Sequence, residues 1–353
     1  MRGSAREVVD LMGLTDQVRE QTTTEAGTRF VNDDGAAIGE FPAEEGVDGP
    51  TAELEILRGD LARIIRDALP ATVSMQFGVS VDTVDQTTNQ PTATLTDGSS
   101  HTVDLVVIAE GVRSRTREAL FPSGVELNPL ELAMVYGTIT RTDGDDRWWN
   151  WFTTNKQRQV TLRPDNRGTT RATMAYVSAE DRLSDATPEE QIAILRDVFT
   201  DAGWQSERVL DGFAASDDIY VDYLTQVKMN TWSRGHVVAT GDAAWCVTPL
   251  GGGGCSLAIT GGYVLAASLS TEPSTEEALQ AYEAWMRPLI DDCQKLPPGG
   301  VRLAYPKTTA GVKALRAGMR AASSGPVRKI AAKAMGDVAD AERPLPDIRT
   351  ARP

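Results

Sequence analysis

The sequence predicts an α/β fold in which a mostly antiparallel β-sheet region is inserted into a discontinuous α/β domain. Three observations carry this. Residues 103–109, VDLVVIA, form an almost unbroken apolar run that enters Glu110-Gly111 and then a helix near Ser114, the pattern of a strand buried on both faces. The string GHVVATGDAA repeats that pattern at 235–244 and leads into four consecutive glycines, 251–254, and an apolar helix. Between the two lie short alternating strands, among them ELAMVYGTITR, RWWNWFTT, RQVTLRP and TTRATMAYV, as expected of an antiparallel sheet.

In chain order, residues 4–20 read as a helix, with Val8, Val9, Leu11 and Met12 clustered and Gly13 interrupting. GTRFVNDDGAAIGEF alternates around Asp34-Gly35 and reads as a β-hairpin. EILRGDLARIIRDAL places Leu57, Leu61, Ile64, Ile65 and Ala68 on one helical face. Short strands follow, with a turn at Asp97-Gly98. One helix interrupts the β-rich region, TPEEQIAILRDVFTDAG, with Thr187 as N-cap and Gly203 at its end. The division is therefore 1–128 with 230–300, an insert at 129–229, and C-terminal helices and tail at 301–353. The tail after residue 327 begins helical and ends in a proline-broken segment.

The net charge of −15 argues against nucleic acid as a partner. Residues 301–353 are the exception, with eleven Lys/Arg against four Asp/Glu, read as a solvated face packing on an acidic body. There is no run of about 18 apolar residues to insert in a membrane, and MRGSAREVVDLMGL lacks the apolar core of a signal peptide, so a cytoplasmic location is expected. Cys246, Cys255 and Cys293 have no CxxC spacing, and the only histidines, His101 and His236, lie in strand-like runs. Metal sites and hydrolytic triads are set aside. Cys246 and Cys255 read as packing residues.

The two strand-to-helix junctions, 104–117 and 241–258, carry the chemistry. In open α/β sheets, ligands bind where strands end and helices begin. Glycines 251–254 let main-chain amides face a planar or anionic group without an intervening side chain. Asp242, at a strand end, is placed to accept from ribose or ribityl hydroxyls. Either junction alone is a common turn; the pair is more specific. In RWWNWF, alternation puts Trp149 and Trp151 on one face, as the wall of a pocket for a flat ligand or as plain core packing.

These strings resemble the group A FAD-dependent aromatic hydroxylases, of the p-hydroxybenzoate hydroxylase fold, and within them the tetracycline-modifying branch. DLVVIAEGVRSRTR is similar to that family's second fingerprint, GDAAWCVTPLGGGGCSLAITGGYVLA to its third, and EILRGDLARII to the segment whose arginine lies against the flavin. The resemblance runs from residue 1 to about 300 and is weak across the insert. It implies an α/β FAD-binding domain with an inserted β-rich substrate domain. The implied activity is NAD(P)H-driven hydroxylation of an aromatic or polyketide-like small molecule through a flavin hydroperoxide. The cofactor-binding residues it implies are Arg58, Glu110, Gly241, Asp242, Pro249, Gly252, Gly254, Cys255 and Ser256. Arg113, Ser114 and Arg117 would surround the nicotinamide or pyrophosphate approach. Trp149, Trp151 and Trp245 would line the substrate pocket; no catalytic residue is assigned. Glu110 stands where the family has aspartate, and Trp245 where many relatives carry histidine.

No GxGxxG is present, although the family opens on a strand–GxGxxG–helix unit. Three explanations stay open. The chain is an incomplete hydroxylase through a start-codon error or as a fragment; it is a naturally short one that holds FAD weakly or with a partner chain; or it is a cofactor-free binding protein or cyclase. Weak or lost FAD binding, and a sheet edge left unpaired, are the expectations.

Overall fold

The computed structural model describes residues 1–23, 25–43, 51, 54–296, 299–325, 327–328, 331 and 343–348. The helical start expected of the tail falls almost wholly outside them. The chain opens with α1 (Ser4–Leu11) and α2 (Thr15–Glu20), then β1 (Gly27–Val31) and β2 (Ala37–Pro42), α3 (Arg58–Asp67), and β3 (Val81–Asp85), β4 (Thr92–Leu95), β5 (Ser100–Thr102) and β6 (Val106–Ile108). Next come α4 (Arg115–Leu120), β7 (Val125–Thr140), β8 (Trp148–Thr154), β9 (Arg158–Pro164), β10 (Thr169–Val177), α5 (Pro188–Phe199), α6 (Ser206–Ala214) and β11 (Ile219–Met229). The chain returns through β12 (Ser233–Arg234), β13 (Val237–Ala239), α7 (Asp242–Trp245), α8 (Thr248–Gly251), α9 (Gly254–Thr271) and α10 (Thr275–Cys293). It closes with α11 (Gly300–Ala304) and α12 (Thr309–Ala322).

The expected helix at 4–20 is two helices, because Gly13 takes a φ of +69° that ends the first. Thr187 caps α5 in a full capping box with Glu190. The insert holds a second helix, α6, that was not foreseen; its buried Val209, Leu210 and Phe213 join α5 over one face of the sheet.

Strand pairing redraws the domain division. The large sheet runs β11-β7-β10-β9-β8-β1-β2, and β1 pairs in parallel with β8. The hairpin at 27–42, assigned by position to the first domain, is thus the far edge of the insert's sheet, and β7 enters that sheet at Val125. Sequence proximity could not reveal this, because the partner strand lies more than 100 residues away. A second correction concerns the run 103–109. Only β6 forms there, at one edge of the small sheet β12-β13-β6, with Val107 46% exposed. Its neighbour β13, in the middle, is fully buried.

The sheet β12-β13-β6, α9 and α10 share one core around Trp232, Trp245, Tyr282 and Met286. Helix α9 is long and apolar enough to cross a membrane by length and composition. Serine, threonine and glycine interrupt its apolar run, so no unbroken stretch of that length stands in the sequence. Here it packs between α1 and α10. The 301–322 segment is lashed to the large sheet: Lys156 and Gln157 amides donate to the Lys307 and Pro306 carbonyls, and α12 lies on β2. That contact needs Gly39, where a Cβ would meet the Met319 carbonyl oxygen at 2.8 Å. Gly39→Val is expected to lift α12 from the sheet, read as faster amide exchange confined to 309–322 and a lower melting temperature.

Candidate active site

The junction at 241–258 is set by sterics. Gly241, at φ +59°, turns the chain out of β13 and places Asp242 at the start of α7 with its carboxylate exposed. Burial pushes the Cys246 thiol up to about 12, helped by the charge of Asp242 beside it. It is therefore a neutral packing residue at physiological pH. At Gly251 a Cβ would lie 2.4 Å from the Cys293 carbonyl oxygen, so only glycine fits. Gly252 and Gly253 take φ of +68° and +69°, and α9 begins at Gly254 with no side-chain cap. The first amides of an α-helix have no partner within it. Those of Gly254, Cys255 and Ser256 thus form a bare, positively polarised end. Pro249 is exposed just before it. The Ser256 hydroxyl is committed elsewhere, accepting from the Arg2 amide at 3.1 Å.

At the junction at 104–117 the carboxylate of Glu110 turns back on its own helix. It accepts from the Ser114 hydroxyl at 2.5 Å, the Thr116 hydroxyl at 2.7 Å and the Thr116 amide at 3.2 Å. Its direct work is to hold the start of α4. Arg117, expected near the nicotinamide approach, is wholly buried and donates to the carbonyls of Val112 at 2.8 Å and Ala243 at 3.0 Å. It joins the two junctions from behind. Arg113 stays exposed, 3.7 Å from Asp181.

Arg58 opens α3 and makes no hydrogen bond or ion pair among the described residues. Burial works against its charge, but Cys255, Tyr136, Asp242 and Tyr220 around it raise its pKa above the ordinary value. Across from it lies the inner face of the large sheet. Cross-strand partners share a face, and one row runs Phe30–Trp151–Thr161–Thr173–Tyr136–Tyr220 through five strand pairs. Met134 and Asp222 oppose one another in the next row. The rings of Trp149 and Trp151 lie 4.8 Å apart, and both indole N–H groups are buried without partners. The Arg163 guanidinium, paired with Glu25 and Glu55, stacks 4.6 Å over Trp149.

Sequence reasoning missed Tyr136, Tyr220 and Asp222. Their signal was faint: polar or aromatic residues at alternate positions of strands whose other positions are apolar, and an aspartate in a strand interior. Trp245 is a correction. It is 1% exposed and sits in the core against Trp232 and over Gly261, because α7 turns it away from the cleft. It shares with Gln294 and Arg287 the wall of a cavity of about 690 Å³ that includes none of Arg58, Asp242, Tyr136 or Asp222.

The residues present fit the flavin half of FAD. A bare helix end suits the anionic edge of the isoalloxazine, glycines admit its plane, and an exposed carboxylate and an unpartnered arginine flank it. Fold and site together define a class, the flavoproteins that hold FAD against the inner face of an attached β-sheet. The family described as FAD binding domain matches residues 5–294. Monooxygenase CTB7 of Cercospora beticola is 30% identical over 335 residues, 89% of this chain and 80% of that protein. A flavin-dependent monooxygenase of Legionella longbeachae is 31% identical over 305 residues, 84% and 76% of the two chains. Among solved structures, tetracycline destructase Tet(51) superposes with a TM-score of 0.75 at 25% identity, covering 94% of this chain and 85% of its own. HpxO of Klebsiella pneumoniae complexed with FAD reaches 0.75 at 18%, covering 95% and 88%, a likeness of fold. The chain belongs to this FAD-binding family and is an FAD-dependent monooxygenase.

Replacing Arg117 by methionine should leave two buried carbonyls without their charged donor, at about 1.5–3 kcal/mol for each lost bond. The expected result is a lower melting temperature with weakened flavin retention, read by thermal denaturation and flavin fluorescence. Asp242→Ala should instead leave the melting temperature of the flavin-free protein unchanged. Its FAD dissociation constant should rise about tenfold or more, the worth of a hydrogen bond to a charged acceptor.

Proposed function

We propose that this monooxygenase hydroxylates a flat aromatic or polycyclic small molecule held between the flavin site and the inner face of the large sheet, with NAD(P)H as transient reductant. The observation that carries the reading is the cross-strand row from Phe30 to Tyr220, which presents rings and hydroxyls to the cleft rather than aliphatic core residues. Bound flavin supplies the redox chemistry and oxygen activation; the chain binds, orients and keeps water out. Gly254, Cys255 and Ser256 amides stabilise negative charge at the pyrimidine edge of the ring, Asp242 holds the ribityl hydroxyls, and Arg58 contacts the cofactor from the side of α3. Trp149 and Trp151, half-buried on the same face, offer stacking surface. One solved relative of this fold is an HpxO complexed with FAD and uric acid, and another is named as a tetracycline destructase; both names refer to fused-ring compounds.

The test is NADPH oxidation by the FAD-reconstituted protein against a panel of phenols, naphthols and polycyclic polyketides, with product mass read in parallel. Oxidation stimulated by at least one ring compound, with a product heavier by one oxygen, is expected. Stimulation by aliphatic substrates alone would overturn the reading. Trp151→Ala should raise KM for the ring substrate about tenfold, as loss of a stacking partner does. FAD affinity should be unchanged, as checked by equilibrium titration.

A further inference from the structure

We propose that Asp222 is the catalytic residue that takes the proton of the substrate: an acidic ring hydroxyl, phenolic or enolic, hydrogen-bonds to this carboxylate and is deprotonated by it as the ring is oxygenated. The proposal rests on the aromatic reading above and deepens it by naming the residue that receives the proton.

Asp222 lies in the middle of β11, two residues from Tyr220 and therefore on the same face, and opposite Met134. It is half-buried, and its side chain has no hydrogen bond or ion pair among the described residues. Other acids of the same sheet region are paired: Asp145 with Arg208, Asp165 with Arg171, Asp146 with Arg29, Glu25 with Arg163. A desolvated carboxylate without a partner destabilises a fold, and such groups in clefts mark functional sites. The charged groups facing it come from every neighbouring element: Arg58 of α3, Asp242 of α7, Arg113 after β6 and Asp181 after β10, with Tyr136 and Tyr220 beside it. Burial pushes the Asp222 carboxyl up; Arg58 and Arg113 draw it down, Asp242 and Asp181 push it further up, and the balance is upward.

The step balances without a co-reactant. The substrate O–H bond breaks, its proton forms an O–H bond on an Asp222 carboxylate oxygen, and the electron pair stays on the ring oxygen. Electron density then rises at the ortho and para carbons, where an electrophilic oxygen is accepted. A carboxyl raised above the usual range is the better matched base.

The probes are 2-naphthol and 2-methoxynaphthalene, titrated calorimetrically into the FAD-reconstituted protein. At about pH 7.5 the naphthol should bind 10- to 100-fold more tightly than its ether, the range of a hydrogen bond to a charged acceptor. That preference should fade as pH falls through the raised carboxyl pKa. It should shrink in Asp222→Asn to that of a neutral carboxamide acceptor, with the ether's affinity unchanged. Equal affinities in the unaltered protein, or a preference untouched by Asp222→Asn, would overturn the proposal while the aromatic reading stands. Binding of neither probe would overturn both. Should Asp222→Asn not fold, the pH series on the unaltered protein decides alone. A second readout separates catalysis from scaffolding. Because folding favours the protonated form of a carboxyl whose pKa is raised, the native state is penalised above the folded pKa and the penalty vanishes in acid below the unfolded value. Asp222→Asn should therefore raise the melting temperature at neutral pH and leave it unchanged in acid; a lower melting temperature would mark a structural residue.

Discussion

The side chain of Arg117 crosses from α4 to α7 with no exposed surface, and the cofactor half depends on that crossing. Its guanidinium binds the carbonyls of Val112 and Ala243, the latter 126 residues from Arg117 in sequence, so the loop after β6 and helix α7 are held by one cation. The strands that precede them pair over only three residues, Val106–Ile108 with Val237–Ala239. Burial lowers the Arg117 pKa, yet guanidinium stays charged in proteins, so the desolvated cation must be satisfied by carbonyls. Ser114 and Glu110 secure the same helix start from the other side. The position of Asp242 and of the bare end of α9 follows from this clamp.

The second half of the site is made by a sheet with two unlike faces. One face is aliphatic and aromatic core, with Val135, Val160, Met174 and Phe152 covered by α5 and α6. The other carries Trp151, Thr161, Thr173, Tyr136, Tyr220 and Asp222 toward the cofactor half. A strand's alternation delivers both faces from one run of sequence. Near the joint, Leu132, Leu224 and Tyr305 pack with Leu250 of α8, so the glycine loop is seated on the sheet by apolar contact. What is left over in the cleft is charge without an ion-pair partner among the described residues, Arg58 on one wall and Asp222 on the other. Elsewhere in this sheet region Asp145, Asp146, Asp165 and Glu25 each find an arginine. The departure marks where stability yields to ligand binding.

The hairpin β1–β2 and the C-terminal α12 brace the far edge of the same sheet. Arg316 of α12 pairs with Asp33 in the hairpin turn and donates to the Thr153 carbonyl of β8. The wall bearing Trp149 and Trp151 is thus backed by segments from both ends of the sequence, and Arg163 with Glu25 and Glu55 fixes Trp149 from the side. Rigid backing of this kind is what lets an aromatic wall hold a ring in one orientation.

Local sequence determined the elements whose causes are local. Asp34-Gly35 made a hairpin turn, Thr187 with Glu190 made a capped helix, and alternation put Trp149 and Trp151 on one face. The glycines at 251–254 and Asp242 after an apolar strand were legible because backbone sterics restrict them wherever they occur. Tertiary structure alone decided the rest. The parallel partner of β1 lies in another segment, so the hairpin's domain could not be read from its neighbours. Glu110 and Trp245 occupy the positions expected of them in sequence, but α4 claims the first side chain and the core claims the second. Asp222 was illegible for the same reason: an aspartate becomes a candidate base only when folding buries it, places Arg58 and Asp242 beside it, and leaves it unpaired.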